Sequence, residues 1–401
     1  MEDFWLFLEP YTFIFEGDGF FMIYNSINYK RAVFPYENKY HRLVKHLNEP
    51  SNMYCIKISF EEKCKLSELI DFIRLSYSGD VVSTEITPNQ PAIIPPYPYI
   101  INDIQKGLNS NLQNCLFSLS LYLPTPQSNA GIEYNDQYIL PKRMEKKQPL
   151  SLDNYIDFLG SIDYFIPTIN LLGGNIWTCE WLDKLISNCL QITDNLYIVS
   201  HICDIPKELN KFINSPQISI KCLIDDEIIK KNDLSHRVDA IMKQFNVDFV
   251  FVISSMDGYL SVERLIKDKC IESYIILPYF TNDNYDFIKE YVFLDREDVF
   301  DISLSKPQVF RNMLVNKMYF GNLIIDENGY IYTNPSNKTS LNIRKDSLNS
   351  ILNYCISSST SFWLKTRKDG KCQKCVHRFL CPPITELEIK TEGVACSFIE
   401  V

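Results

Sequence analysis

The stretch ISIKCLIDDEIIKKNDLSHRVDAIMKQFNVDFVFVI, residues 218–253, carries the strongest fold signal in the chain. Its two ends, 218–224 and 247–253, are short apolar runs rich in isoleucine and valine, which is typical of buried strands. The apolar residues between them recur at helical spacing: Val238, Ile241, Met242 and Phe245. Because parallel strands need a crossover connection, this order predicts one strand–helix–strand unit of a parallel sheet.

Similar units lie on both sides of this stretch. Further strands are predicted at 116–123, 165–172, 196–200 and 274–277. One of the intervening helices is predicted from the apolar face Leu182, Leu185, Ile186 and Cys189. Six strands that alternate with helices predict an α/β fold, here a partial (β/α)6 barrel over residues 88–306. The proline-rich stretch 88–99 marks the start of this domain, because proline ends helices and central strands.

Residues 1–87 predict a small domain of three strands followed by two helices. The strands 12–16 and 20–24 are joined by Gly17-Asp18-Gly19, and 31–34 follows as the third. The two helices have apolar faces at Tyr40, Leu43, Val44 and Leu47 and at Leu66, Leu69, Ile70 and Ile73. We expect both helices to cover one face of the sheet.

The composition excludes several classes of partner. The chain has 401 residues, of which 46% are hydrophobic, and its net charge of −10 repels the phosphates of nucleic acid. No apolar run approaches the roughly 20 residues of a membrane-spanning helix, and the N-terminus is acidic where a signal peptide is basic. We therefore expect a cytoplasmic protein without a membrane partner. Its 13 cysteines are expected to be thiols or metal ligands rather than disulfides.

Residues 307–401 predict a third domain, in which a hairpin at 321–334 precedes a cysteine cluster. The stretch CQKCVHRFLC and the residues after it supply four thiols: Cys372, Cys375, Cys381 and Cys396. The two-residue gap in CxxC lets two thiolates face one centre, and the other two thiolates can complete a tetrahedral set. This pattern favours an iron–sulfur cluster, with a structural zinc site and ordinary buried cysteines as the alternatives.

The cysteine run resembles that of the SPASM domain, which ends many peptide-modifying radical S-adenosylmethionine (SAM) enzymes. The hairpin before it, with the turn Asp326-Glu327-Asn328-Gly329, resembles the D-x-x-G hairpin of the same domain. The resemblance implies that one auxiliary [4Fe-4S] cluster is held by Cys372, Cys375, Cys381 and Cys396. Thr385 stands where the family has a cysteine for a second cluster, so we expect that second cluster to be missing.

The segment INLLGGN, which ends in Gly173, Gly174 and Asn175, resembles the strand-end Gly-Gly-Glu segment that contacts the amino group of SAM in radical SAM enzymes. Asn175 replaces the acidic residue, and a tight strand-to-helix turn is the alternative interpretation of the two glycines. An active enzyme carries Cys-x3-Cys-x2-Cys after the preceding strand, but no cysteine lies between Cys115 and Cys179. We therefore expect a degenerate barrel without SAM and without radical catalysis.

Along nearly its full length the chain resembles the pseudo-radical-SAM/SPASM proteins of GG-type systems that mature ribosomally synthesised peptides. Its N-terminal domain resembles their winged-helix-like peptide-recognition element, which binds a leader peptide as an added strand. The candidate peptide contacts are Arg31, Val33 and Tyr40. The resemblance implies a non-catalytic accessory protein that binds a precursor leader peptide and works beside a maturation enzyme. The alternative for this domain is that it only packs on the barrel.

Two other functions stay open at this point. The chain is a divergent peptide-modifying or electron-transfer protein if its barrel or its cluster is active, and a structural protein if zinc occupies the thiols. No nucleotide-binding loop and no conventional hydrolase motif occurs in the sequence. The acidic run Asp225-Asp226-Glu227 is expected to be a solvated loop rather than a cation site, and His201 a structural or surface residue.

Overall fold

A computed structural model describes residues 2–93, 112–130, 134, 136–142, 148–207, 215–231, 233–368 and 370–391 of the chain. The strands in these ranges form two three-stranded sheets near the N-terminus and one nine-stranded sheet that contains all of the remaining described strands. None of the helices in these ranges is long and apolar enough to cross a membrane. The prediction of an α/β fold is confirmed.

Residues 2–83 contain the two smaller sheets. In one sheet, β1 (Asp3–Leu8) pairs antiparallel with β5 (Cys55–Ser59) on one side and β6 (Gly79–Ser83) on the other. The other sheet is the predicted meander of β2 (Thr12–Glu16), β3 (Phe20–Asn25) and β4 (Arg31–Pro35). The helices are α1 (Asn38–Asn48), α2 (Phe60–Lys65) and α3 (Ser67–Leu75). The meander and the predicted helices α1 and α3 are confirmed, whereas β1, β5, β6 and α2 were not predicted.

The meander is a middle layer with apolar side chains on both faces. On one face, Phe21, Ile23 and Phe34 pack against the apolar faces of α1 and α3, as expected. On the other face, Phe13, Phe15, Met22 and Tyr24 pack against residues near the C-terminus. The N-terminal domain is therefore joined to the C-terminal region through its own sheet.

Six parallel strands lie side by side in chain order and make up most of the large sheet. They are β7 (Ser118–Tyr122), β8 (Thr168–Leu172), β9 (Leu196–His201), β10 (Ile218–Asp225), β11 (Val247–Ile253) and β12 (Tyr274–Pro278). Each corresponds to one of the six predicted strands. Because all six strands are parallel, their carboxyl ends lie at one edge of the sheet, which we call the mouth.

The two faces of this sheet are covered differently. Four helices pack on one face: α4 (Leu152–Gly160), α5 (Leu182–Cys189), α7 (Leu234–Gln244) and α8 (Met256–Lys269). The short helix α6 (Asp226–Ile229) directly follows β10. The opposite face, which we call the inner face, has an apolar row near the mouth formed by Tyr122, Leu172, Val199 and Leu223. Side chains of the segment 136–142 pack on this row.

The C-terminal region extends the same sheet. β13 (Asn322–Ile325) pairs parallel with β7, and β14 (Tyr330–Tyr332) and β15 (Lys338–Asn342) follow antiparallel. The predicted hairpin of β13 and β14 is confirmed, and Gly329 in its turn has a φ of +86°, which favours glycine. The remaining helices are α9 (Tyr285–Tyr291), α10 (Arg296–Asp301), α11 (Lys306–Leu314), α12 (Leu348–Ser357) and α13 (Glu386–Lys390).

Candidate functional site

The cysteine segment, residues 370–381, begins with a short 3-10 helix and continues as a series of turns. The N–H of Cys375 donates to the carbonyl of Cys372 (3.0 Å), and the N–H of Cys381 donates to the carbonyl of His377 (3.2 Å). Cys372 and Cys375 are half-buried, and Cys381 is 9% exposed. Three of the four predicted ligand thiols therefore lie on one compact segment. The fourth, Cys396, lies outside the described residues.

Cys372, Cys375 and Cys381 are all among the described residues, but their thiols are not gathered into a metal site in this structure. Within it, no three His, Cys, Asp or Glu side chains lie close enough together to hold one metal ion. The chemistry of the predicted donors fits an iron–sulfur cluster or zinc, because both are bound by cysteine thiolates. The four-cysteine ligand set stays a prediction.

Arg367 ties the cysteine segment to α13. Its guanidinium forms two parallel hydrogen bonds to the Glu388 carboxylate, at 2.7 and 2.8 Å, and both side chains are buried. The same guanidinium donates to the Cys372 sulfur at 3.2 Å and to the Pro382 carbonyl at 2.6 Å. Burial opposes the charged form, but the hydrogen bonds to Glu388 raise the pKa of Arg367 above its ordinary value. A fixed positive charge therefore lies beside a predicted ligand thiol.

The β2–β3 hairpin of the N-terminal domain packs on the cysteine segment. The N–H of Asp18 donates to the carbonyl of Lys374 at 2.8 Å, and the Arg378 guanidinium donates to the carbonyl of Glu16. A Cβ atom on Gly17 would lie only 2.6 Å from the same Lys374 carbonyl oxygen, so this turn has no room for a side chain. The cysteine segment thus lies directly against the tip of the β2–β3 hairpin.

The three predicted peptide contacts lie in different surroundings. Tyr40 is 1% exposed in the core of the N-terminal domain. Arg31 donates hydrogen bonds to the carbonyls of Val299 and Ile302 within the same chain. Neither residue is therefore proposed as a direct peptide contact, because Tyr40 is buried and the Arg31 guanidinium is hydrogen-bonded within the chain. Val33 is 37% exposed on β4 and is the one of the three at the surface.

The Gly-Gly turn lies at the mouth, after β8, and is closely packed. The Gly174 N–H donates to the Thr125 hydroxyl at 3.0 Å, and the Asn175 N–H donates to the Pro126 carbonyl at 2.7 Å. A Cβ atom on Gly174 would lie 1.9 Å from the Pro126 oxygen, and one on Gly173 would lie 2.6 Å from the Thr125 hydroxyl. The stretch after β7 therefore fills the space next to both glycines.

The segment 136–142 covers the inner face beside this turn. The Gln137 side chain exchanges two hydrogen bonds with the backbone of Phe280, at 2.7 and 2.9 Å. The Tyr138 hydroxyl donates to the carbonyl of Pro278 at the end of β12, and the Tyr122 hydroxyl donates to the carbonyl of Leu140. The segment is thus hydrogen-bonded at both ends of the set of six parallel strands, at β7 and just after β12.

A buried histidine–aspartate pair lies at the mouth and was not predicted. The N–H of Cys203 donates to His201 Nδ1, which leaves Nε2 to donate to Asp225 Oδ2 at 2.9 Å. Asp225 also accepts the N–H groups of Glu227 and Ile228 at the start of α6. Burial raises its pKa, but these hydrogen bonds, with that from His201 first, lower it below the ordinary value overall.

The prediction of a solvated loop at 225–227 was wrong for its first residue. Asp225 is buried, because its side chain is the acceptor for both His201 and the backbone of α6. The sequence signal for such a pair is weak: a histidine ends one parallel strand and an aspartate ends the next. Only adjacency of β9 and β10 brings the two side chains together.

Comparison with known proteins gives no assignment. No protein-family model matches the sequence. No curated protein is significantly similar to it.

Proposed function

We propose that this protein is a non-catalytic accessory protein of ribosomal peptide maturation that binds a precursor leader peptide. Its nine-stranded sheet and helices would be a degenerate radical-SAM-like partial (β/α)6 barrel between a winged-helix-like domain and a SPASM-like module. One [4Fe-4S] cluster would be held by Cys372, Cys375, Cys381 and Cys396. The modification of the peptide would then be the task of a partner enzyme.

The observation that carries this proposal is the packing of the Gly-Gly turn. A turn that contacts the amino group of a bound cofactor needs open space next to its glycines. Here Thr125 and Pro126 occupy that space, and the Gly174 N–H is already bonded to Thr125. This packing, together with the missing cysteine triad, supports a barrel that has lost its cofactor.

The surroundings of the cysteine segment support a structural role for a cluster. The segment contacts the β2–β3 hairpin on one side and, through Arg367, the helix α13 on the other. When bound, a metal centre would cross-link these elements, because its ligand bonds form only in the folded chain. Such a cluster would join the N-terminal domain to the C-terminal region.

The free edge of the meander supports peptide binding by strand addition. Among the described strands β4 pairs only with β3, and the cysteine segment contacts the meander elsewhere, at the tip of the β2–β3 hairpin. Val33 on β4 and Leu75 at the end of α3 are exposed apolar residues, and Leu75 is 74% exposed. Lys30 donates to the Leu75 carbonyl at 3.2 Å, which brings the end of α3 close to β4. An extended peptide would pair with β4 and contact these side chains.

Metal content and cofactor chemistry test the first part of the proposal. The protein is purified without oxygen, its iron, sulfide and zinc are quantified, and it is incubated with SAM and dithionite. We expect about four irons per chain and no deoxyadenosine. Cys375→Ser should lose the iron, whereas Cys64→Ser, an exposed cysteine on α2, should keep it. Deoxyadenosine production would refute the non-catalytic role, and zinc in place of iron would leave a structural zinc protein.

Peptide binding is tested with fluorescein-labelled synthetic peptides that copy the short open reading frames flanking the gene. Fluorescence anisotropy should find at least one binder. Val33→Asp should weaken it by about tenfold or more, because a charge would be desolvated at the added strand. Ile86→Asp, at an exposed position outside the meander, is the matched control and should change little. Equal effects of the two variants, or no binder, would refute the peptide-binding role.

A further inference from the structure

A row of polar side chains crosses the inner face on the side away from the mouth. On β7, β8 and β9 it lies below the apolar row that the segment 136–142 covers, whereas its lysine on β10 is in register with Val199 of that apolar row. The row comprises Ser118 and Ser120 on β7, Asn170 on β8, Tyr197 on β9 and Lys221 on β10. Their strand neighbours point to the helix-covered face, so these five side chains share the inner face.

Hydrogen bonds link these residues in one direction. Lys221 Nζ donates to Asn170 Oδ1 at 2.9 Å, and Asn170 Nδ2 donates to the hydroxyl oxygens of Ser118 and Ser120, at 3.2 Å each. Asn170 is 5% exposed and Ser120 is 1% exposed, so these two side chains of the network are shielded from water. The ammonium fixes the orientation of the amide, because it can only donate.

Several N–H and O–H groups of this hydrogen-bond network remain able to donate. Both serine oxygens accept from Asn170, so each hydroxyl hydrogen can still donate outward. An ammonium has three N–H bonds, and one of those on Lys221 is directed at Asn170. The half-buried ammonium of Lys221 and hydroxyl of Ser118 lie at the two ends of the Asn170 amide, and a cationic donor together with a hydroxyl donor is complementary to an anion with several oxygens.

The charge of Lys221 is only weakly balanced within the described residues. None of their carboxylates lies within 4 Å of its Nζ, which is instead 4.0 Å from the centre of the Tyr197 ring. Asp248, the register partner on β11, attracts it from farther away. Burial lowers the pKa of Lys221, which an adjacent anion would counteract. One cation with an aspartate nearby suits a single negative charge better than two.

We propose that Lys221 and Ser118 form a binding site for a monoanionic carboxylate on the inner face, with the buried Asn170 and Ser120 beneath it. Lys221, Ser118 and Tyr197 are half-buried rather than enclosed, so the site is accessible from solvent. The carboxylate would accept from the Lys221 ammonium and from the Ser118 hydroxyl, with Asn170 holding both in place and Ser120 supporting the Asn170 amide. This inference does not depend on the proposed function, because it uses neither the cysteines nor the meander.

Saturation-transfer NMR tests the site with N-acetylglycine as the probe and N-acetylglycinamide as its uncharged counterpart. We expect saturable transfer to the acid and none to the amide. Lys221→Met should weaken binding by about tenfold or more, because it removes a charge-assisted hydrogen bond. Lys267→Met, at an exposed lysine on α8, makes the same chemical change elsewhere and should bind as the wild type does.

A second variant and a second ligand keep the test decisive. Ser118→Ala removes only one hydroxyl at a half-buried position and should weaken binding by a smaller factor, even if Lys221→Met fails to fold. Tighter binding of acetyl-triglycine than of N-acetylglycine would assign the site to a peptide carboxylate, and equal binding would assign it to a small free acid. No transfer to the acid, equal transfer to the amide, or equal loss in Lys267→Met would overturn the proposal.

Discussion

Replacing Gly174 by alanine should destabilise the protein, because the Gly-Gly turn has no space for a methyl group. The added Cβ would lie 1.9 Å from the Pro126 oxygen and 2.8 Å from the carbonyl carbon of the same residue. Both are backbone atoms, which cannot rotate away as the end of a side chain can. The Pro126 carbonyl would have to retreat by about 1 Å to reach even a tight contact of 3.0 Å.

The size of the effect follows from two costs. Overpacking of this kind typically costs about 1–3 kcal/mol. Moving the Pro126 carbonyl would also break the 2.7 Å hydrogen bond that it accepts from the Asn175 N–H, which contributes about 1 kcal/mol. We therefore expect the free energy of unfolding to fall by about 2–4 kcal/mol.

Gly160→Ala is the matched control. Gly160 is the last residue of α4, and a Cβ atom there meets nothing within 4 Å. Alanine at a helical position without a clash should leave stability unchanged or raise it by up to about 1 kcal/mol. Urea unfolding is followed by tryptophan fluorescence, with Trp177 close to the turn as a local reporter. Equal stability of the two variants would mean that the mouth has room for a ligand, and the main argument for a lost cofactor site would fall.

Three further predictions concern other contacts. Glu388→Ala should destabilise the C-terminal region by about 3–5 kcal/mol in urea unfolding, because it leaves the buried charge of Arg367 unpaired. The double variant Glu388→Ala/Arg367→Met should lose less stability, because it removes that charge as well. Equal losses in the two variants would refute this prediction. Asp225 has a lowered pKa, so its stabilising contribution should be present above pH 3.8, its ordinary pKa, and decline as the pH falls below that value. Asp225→Asn should abolish this part of the decline when the free energy of unfolding is measured against pH. An unchanged decline would contradict the prediction. Tyr24→Phe removes two hydrogen bonds to the backbone of Leu304, at 2.6 and 2.7 Å; faster hydrogen exchange in α11 is expected, and unchanged exchange would show that apolar packing alone holds this contact.

Several elements could be predicted because their signal is local. The strands β7 to β12 are short apolar runs, and the helices between them show one apolar face each, so a window of about ten residues is enough to recognise them. The cysteine segment is equally local, since CxxC and a third cysteine lie within ten residues. The strand β1, in contrast, is apolar from residue 4 to residue 8 (FWLFL), so its sequence shows no alternation of polar and apolar residues. Its partners β5 and β6 become strands by pairing with it from about 50 and 75 residues away.

The candidate sites could be predicted only in part for the same reason. The thiols were found from their spacing, but the guanidinium of Arg367 beside Cys372 and its pairing with Glu388 depend on how the segment folds back on α13. Tyr40 is a predicted peptide contact, but its place in the apolar stripe of α1 indicates burial, and it is buried in the structure. The row around Lys221 has no sequence signature, because its members come from four different strands.

The sequence by itself determined the order of the strands along the chain, their apolar character and the position of the cysteines, since these follow from side-chain periodicity and spacing within short windows. Only the tertiary structure decided which distant parts meet. β13 pairs with β7 across about 200 residues, the Tyr24 hydroxyl contacts the backbone of Leu304, and the loop after β7 fills the space next to Gly174. Such contacts depend on the shape and hydrogen-bonding capacity of two surfaces at once, and no single stretch of sequence contains both.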